Sequence, residues 1–117
     1  MSTIKVDNIR IASESVSRSV RGVAAAWCHW QTAPSTYIKD SSNIASLTDA
    51  SVGYTLVYYT DEMASDGYAI SAVSNSVNIR ETNTSHSAER CQIVTSDSAN
   101  DSQDATRVSA IVNGDLA

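Results

Sequence analysis

Two side chains that could form a nucleophilic pair, Cys28 and His29, are neighbours in the sequence. A cysteine nucleophile needs a base within hydrogen-bond reach of its sulfur atom. The run 26–30 has the alternation of a β-strand, and neighbouring residues in a strand point to opposite faces. Cys28 and His29 therefore cannot form a catalytic pair, and we expect Cys28 to be a small core residue. The second cysteine, Cys91, lies in no CxxC motif, so we predict that both are reduced.

Acidic residues could supply metal ligands in one stretch of the chain. Asp97, Asp101 and Asp104 stand close together, with Asn100 between them. The stretch 97–104 nevertheless lacks the Gly and the final Glu of an EF-hand calcium loop. We therefore predict a solvated acidic hairpin loop without a metal site.

The remaining titratable residues do not form an arrangement with the spacing of an active site. Asp61 and Glu62 are adjacent, which does not suit a general acid and base. His86 lies in a polar turn, where a lone histidine is usually solvated. The sequence therefore predicts no enzymatic activity and no cofactor.

Length and charge restrict the class of protein further. The chain has 117 residues, which suits one domain, and a formal net charge of -5. No window concentrates Lys or Arg, so nucleic-acid binding is disfavoured. No apolar run approaches the roughly 18 residues of a membrane span, and the start lacks a signal peptide's charged and apolar blocks, so we expect assembly in a cytoplasm. Charged residues make up only 18%, which favours a surface partly covered by copies of the same chain.

The candidate residues must be positioned by β-strands, because runs of alternating or β-branched residues fill most of the chain. Polar breaks separate runs at 24–31, 37–40, 44–48, 54–60, 68–74, 77–82, 91–95 and 106–112. Short strands about ten residues apart are typical of a sandwich or barrel. The pattern predicts an all-β fold, an antiparallel β-sandwich of seven to eight strands, jelly-roll-like, over residues 23–117.

The segment 1–22 has no single period and is predicted to be an N-terminal arm. Its first half alternates around Asp7 and Asn8, which suits extended pieces. In its second half, apolar or small residues recur at the spacing of a coiled-coil seam: Ile9, Ala12, Val16, Ser19 and Val23. Serines make a helix there weak, so we prefer an extended arm that orders against sister chains or a docking site. A small helical stalk is the alternative.

Several blocks of the chain occur in a fixed order: AWCHW (26–30), IKDSSNIASLTD (38–49), GYTLVYYT (53–60), Met63 and YAI (68–70). Together they resemble one family, the tail-fibre and virion-fibre β domain of bacteriophages. The start MSTIKVDNI (1–9) and the end VSAIVNGDLA (108–117) resemble those of the short members, so nearly the whole chain is covered. The chain departs from the family at Ala64, where Pro is usual, and at Ser42, where an aromatic residue is common.

The resemblance implies a homotrimeric virion protein, assembled in the bacterial host cytoplasm, without catalytic residues. The arm is then the candidate anchor to another phage structural protein of the capsid, tail or adaptor, through Ile4, Val6, Ile9, Ile11 and Val16. Two loops are the candidates for contact with a host-surface glycan, through Asn83, Thr84, His86, Asp97, Asn100 and Asp101. Two alternatives remain: a capsid or tail decoration protein with no specific ligand, and a stand-alone carbohydrate-binding module.

Aromatic residues are the candidates for the subunit interface. Alternation places Trp27 and His29 on the face of the strand opposite Cys28, and they join Val20 and Val23 as candidate interface residues. The alternative is a strand covered on both faces within one chain.

Three tyrosines could alternatively bind a sugar. Tyr54, Tyr58 and Tyr68 offer flat apolar faces with polar tips. We expect them to serve the core or an interface instead, because aromatic side chains dominate such packing.

Overall fold

The computed structural model describes residues 2–10, 12–16, 18–19, 23–76 and 78–117. In these ranges the chain forms strands, one short 3-10 turn and no α-helix, as its many β-branched and aromatic residues favour. The elements are β1 (Asn8–Ile9), β2 (Arg18–Ser19), β3 (Ala24–Gln31), β4 (Tyr37–Ser42), β5 (Ile44–Ser51), β6 (Tyr54–Tyr59), β7 (Ala69–Ser74), β8 (Asn78–Glu81), the 3-10 turn (Asn83–Ser85), β9 (Arg90–Ser96) and β10 (Val108–Asn113).

The strands from β3 onward form two four-stranded antiparallel sheets. The first sheet has the order β4-β3-β10-β7, and the second has the order β5-β6-β9-β8. Buried side chains of both sheets belong to one hydrophobic core, so the sheets pack face to face as a sandwich. The predicted all-β class is confirmed, and each of the eight predicted runs contains one of the strands β3 to β10 or most of it.

The strand order differs from the expected jelly roll. In an eight-stranded jelly roll, two Greek keys place all but one pair of sequence-adjacent strands in opposite sheets. Here three such pairs, β3–β4, β5–β6 and β8–β9, each stay within one sheet as antiparallel neighbours. The short polar breaks between these runs allow direct hairpin pairing, and alternation alone carries no information on which strands pair.

The core follows from the period of two along each strand. In β3, Cys28 and Trp30 face inward, and in β10 Val108 and Val112 do the same. The second sheet contributes buried side chains from β6 and β9: Val57, Tyr59, Cys91 and Ile93. Each large aliphatic side chain buried in this way contributes about 1.5–3 kcal/mol to stability.

The chain crosses from the first sheet to the second at Asn43. It is the single residue between β4 and β5, and it has φ of 58°, in the left-handed region that Asn tolerates. Its Nδ2 donates to the carbonyl oxygens of Ala25 and Asp61, each at 3.1 Å, and its Oδ1 accepts from the N–H of Asp61 at 2.7 Å. One polar side chain therefore fixes the sharp crossover between the sheets.

The N-terminal segment forms a small antiparallel pair of its own. Asn8 pairs with Ser19, and Ile9 pairs with Arg18. In the described part of 2–19 the backbone is extended or turned, so it does not adopt the helical stalk that the seam spacing allowed. Ile11 and Val20, which the sequence also singled out, lie outside the described residues.

Candidate functional site

The outer face of the first sheet carries large apolar side chains that the chain leaves exposed. Trp27 of β3 is directly opposite Ile111 of β10, and Ser109 of β10 is opposite Val73 of β7. Trp27 is 38% exposed, Ile111 47% and Val73 68%. We call this surface, defined by Trp27, Ile111 and Val73, the outer apolar face. Its Trp27 points away from the core, so β3 is not covered on both faces within this chain.

Small and polar residues surround the outer apolar face. Trp27 pairs on its other side with Ser42, and Ile111 pairs with Ser71. His29 points outward next to its cross-strand partner Asp40, while Cys28 is buried, so the predicted separation of Cys28 from His29 is found. Short neighbours leave the large apolar side chains raised above the sheet, which suits contact with another surface.

The outer face of the second sheet is also apolar, but the chain covers much of it. Tyr54, Leu56 and Tyr58 of β6 point outward and are half-buried. The Arg90 guanidinium lies over the Tyr58 ring, 5.5 Å from its centroid, with Nη1 3.4 Å from the hydroxyl oxygen. Val94 of β9, between cross-strand neighbours on β6 and β8, is 0% exposed. We call this surface the covered face.

The three candidate sugar-binding tyrosines do not share a surface. Tyr54 and Tyr58 are on the covered face, whereas Tyr68 packs edge-on against the core residue Tyr59, with 5.6 Å between ring centroids. Burial raises the pKa of the Tyr68 hydroxyl to about 12. Its oxygen is 2.8 Å from the carbonyl oxygens of both Ser87 and Arg90. Tyr68 therefore holds the loop before β9 in place.

His86 is part of the packed structure, not a solvated loop residue as predicted. Its ring stacks on Tyr68, with 4.3 Å between centroids and 26° between planes. The Nε2 atom is 2.7 Å from the carbonyl oxygen of Asp66, and the Nδ1 atom pairs with the carboxylate of Glu81. Of the residues proposed in this loop, the exposed ones are Asn83 and Thr84.

The acidic loop is held by its own hydrogen bonds. Asp97 Oδ1 accepts from the N–H groups of Ala99 at 2.8 Å and Asp101 at 3.0 Å, and Asn100 has φ of 65°. The side chain of Asn78 donates to the carbonyl oxygen of Asp97 at 2.8 Å. The Asp97 carboxylate thus stabilises a turn. Within the described ranges, His, Cys, Asp and Glu side chains do not group in a way that could hold a metal ion.

The two loops proposed to face a receptor lie at opposite ends of the sandwich. Ser87 exchanges backbone hydrogen bonds with Arg90 at the start of β9, and Asp97 follows the last residue of that strand. The seven residues of β9 span about 20 Å. One flat ligand surface therefore cannot contact both loops from a single end.

The two thiols are buried in the core, as predicted for Cys28. Both cysteines are free, with Cys28 2% and Cys91 1% exposed. Burial raises the pKa of Cys28 to about 12 and that of Cys91 to about 11. Since the thiolate is the reactive form, both side chains act as small apolar residues at neutral pH.

The candidate anchor residues are exposed wherever the structure describes them. Ile4 is 86% exposed, Val6 49%, Ile9 55% and Val16 74%, and Val23, a candidate interface residue, is 57% exposed. Exposed aliphatic side chains at this density favour a further contact.

Comparisons with protein-family models, with curated proteins and with solved structures find no match to this chain. In the part of the chain that the structure describes, helices with the length and apolar character of a membrane span do not occur.

Sequence reasoning found Trp27 but missed its apolar neighbours. Ile111 has the opposite parity from Val108, Ala110 and Val112, so alternation along β10 could have placed it outward. For Val73 the alternation is a weaker signal, because both faces of β7 carry small or apolar side chains.

Proposed function

We propose that this chain is a structural component of a bacteriophage particle, a short homotrimeric fibre or spike whose subunits meet through the outer apolar face. The observation that carries the self-association is the exposure of Trp27, Ile111 and Val73 on three adjacent strands. Large aromatic and aliphatic side chains that are raised above small neighbours are typical anchors of subunit interfaces. The virion setting rests on the resemblance of the sequence blocks to phage fibre domains.

The other parts of the chain have roles consistent with this proposal. The exposed Ile4, Val6, Ile9 and Val16 are available for docking to a sister chain or to a capsid, tail or adaptor protein. Asn83 and Thr84 at one end, or Asn100 and Asp101 at the other, would be displayed to a host-surface glycan. Because the two loops lie at opposite ends, only one of them would face the host.

Decoration of the capsid or tail without a specific ligand is the second candidate. It is favoured because other side chains of the same chain already cover two of the aromatic rings: Arg90 lies over Tyr58, and His86 stacks on Tyr68. A glycan site usually needs a free aromatic face. The virion location is common to both candidates.

The mass of the purified full-length chain in solution, measured by light scattering, tests the self-association. We expect the mass of three chains. Trp27→Asp places a charge in the centre of the proposed interface and should give a folded monomer. Val52→Asp is the matched control, because Val52 is 59% exposed in the turn between β5 and β6. A wild-type monomer, or a trimer that tolerates Trp27→Asp, would reject this interface.

The virion location has its own test. We expect mass spectrometry of purified particles, from a phage whose genome encodes this chain, to detect it at many copies per particle. Its absence from those particles would reject the structural role whatever the oligomeric state.

A further inference from the structure

A groove opens along one side of the sandwich, where the edges of the two sheets meet. It lies between β7, the last strand of the first sheet, and β8, the last strand of the second. Its volume is about 200 Å³, and it is lined by Ile70, Ala72, Ile79, Arg80, Glu81 and Ile93. Ile93 is buried at its base, and Ile70, Ala72 and Ile79 are half-buried around it. Four apolar side chains therefore line the groove together with Glu81, which is on the same side of β8 as Ile79, whereas Arg80 is on the other side of that strand.

The backbone at this groove can accept another strand. Among the described strands, β7 pairs only with β10 and β8 only with β9, so one edge of each is not paired to a strand. Such an edge presents a row of N–H and C=O groups to an added strand. In strand addition the backbone supplies hydrogen bonds, and alternate side chains of the added strand enter pockets. An apolar cavity of about 150 Å³ can hold benzene, so this groove has room for roughly two branched aliphatic side chains.

The first residues of the chain have the matching pattern. When the segment 4–7 is extended as an added strand, Ile4 and Val6 lie on one side of it, and Lys5 and Asp7 lie on the other. When Ile4 and Val6 enter the groove, Asp7 points outward, toward the side on which Arg80 is exposed. The segment therefore matches the groove in apolar spacing, and Asp7 and Arg80 are the candidate ion pair of the added strand.

We propose that residues 4–7 of one copy add as a strand in the groove between β7 and β8 of a second copy. In a single chain this segment does not fill its own groove, since Ile4 is 86% and Val6 49% exposed. The chain measures 48 × 27 × 25 Å, and strands of eight residues span about 26 Å. This inference rests on the part of the proposed function in which the arm docks to a sister chain, and it does not depend on the virion location.

Disulfide trapping between two full-length chains tests the exchange. One chain carries Val6→Cys, and a second chain with a distinguishing tag carries Ala72→Cys, which adds one sulfur atom inside the groove. We expect mild oxidation of the mixture to join the two chains at several times the yield obtained with Val52→Cys in the second chain. Equal yields for Ala72→Cys and Val52→Cys would overturn the proposal.

A chain that carries both Val6→Cys and Ala72→Cys tests whether the groove takes the arm of a second copy or the arm of the same chain. A disulfide within one chain that forms at the same yield on dilution would show that the arm fills its own groove, which also overturns the proposal. The native cysteines do not interfere, because both are buried.

A charge reversal sharpens the test. Arg80→Asp should lower the yield between Val6→Cys and Ala72→Cys by up to about fivefold, the range of an exposed ion pair, and Asp7→Arg in the partner chain should restore it. Failure of the restoration would reject the role of this pair.

The outcomes also separate this inference from the proposed function. If the disulfide between Val6→Cys and Ala72→Cys does not form while the solution mass is still that of three chains, arm exchange is rejected and the proposed interface is not. A second outcome is a disulfide between purified chains together with a solution mass that Trp27→Asp does not change. That outcome supports arm exchange and rejects the proposed interface.

Discussion

The two outer faces of the sandwich both carry large apolar side chains, but the chain covers them to different extents. Each has a row of large apolar residues on adjacent strands. On the covered face the chain packs its own Arg90 on Tyr58 and leaves Val94 without exposure. On the outer apolar face, Trp27 and Ile111 have neighbours that are mostly Ser and Ala, too short to cover them. The chain therefore covers more of one face than of the other.

Under the proposed function the two faces have different roles: the covered face stabilises the single chain, and the outer apolar face serves assembly. Half-buried tyrosines with an arginine over them contribute to the stability of the single chain. The area of Trp27 and Ile111 that remains exposed contributes nothing to the stability of the single chain, and it is removed from water only in the proposed assembly. Substitutions that disturb one face should therefore affect folding, and those that disturb the other should affect assembly.

The largest difference is expected when the same substitution is made on the two faces. Val94→Asp places a carboxylate at a position with 0% exposure and should lower the free energy of unfolding by about 3 kcal/mol or more. Val73→Asp, at a position with 68% exposure, should change the stability of the single chain by about 0.5 kcal/mol or less. Urea unfolding at concentrations where light scattering reports single chains measures both. Equal losses would contradict the difference between the faces.

Alkaline pH should lower the stability of the hydrophobic core, which lies beneath both faces. Burial raises the pKa of Cys28 to about 12, of Cys91 to about 11 and of Tyr68 to about 12, above their ordinary values of 9.0, 9.0 and 10.0. The unfolded chain releases these protons first, so stability is complete below about pH 9 and falls as the pH rises toward 12. Urea unfolding between pH 8 and 11 should show this fall equally in the wild type and in Trp27→Asp. Stability that does not change above pH 9 would contradict the burial of these groups.

The sequence predicts the individual strands well because each is a local pattern. Alternation in the run 24–31 placed Trp27 on the face opposite Cys28, and the structure confirms this separation, with Cys28 buried. Alternation left open whether the chain covers the face of Trp27, and the structure shows that this side chain is 38% exposed. The outer apolar face could be predicted only in part, since Ile111 and Val73 become neighbours of Trp27 through the pairing of distant strands. That register depends on which strands meet, and a period of two is the same for every possible partner.

The arrangement of the loops was not predictable for the same reason. His86 looks like a lone polar residue in the sequence, because Tyr68 and Glu81 reach it through the packing of other elements. The acidic loop was predicted more closely. Its lack of an EF-hand pattern is a local property, and the turn made by Asp97 is formed by residues within four positions of it.

Removal of the arginine on the covered face should have a moderate effect. Arg90→Ala takes away the guanidinium over the Tyr58 ring together with its aliphatic packing, and should cost the single chain about 1 kcal/mol. Arg107→Ala is the matched control at an exposed residue just before β10, where we expect a change of about 0.5 kcal/mol or less. Thermal unfolding of the two variants measures the difference. A control as destabilised as Arg90→Ala would mean that the arginine does not cover this face.

The smallest effect on folding is expected from Ile111→Thr on the outer apolar face. The substitution keeps a β-branched side chain in a strand and removes apolar area that is already 47% exposed, so the single chain should lose about 0.5 kcal/mol or less. Its effect should appear in assembly, because Ile111 is directly opposite Trp27. Light scattering over a dilution series should show dissociation at higher protein concentrations than for the wild type. Unchanged dissociation with a clear loss of folding stability would place Ile111 among the residues that stabilise the single chain, and the outer apolar face would then be reduced to Trp27 and Val73.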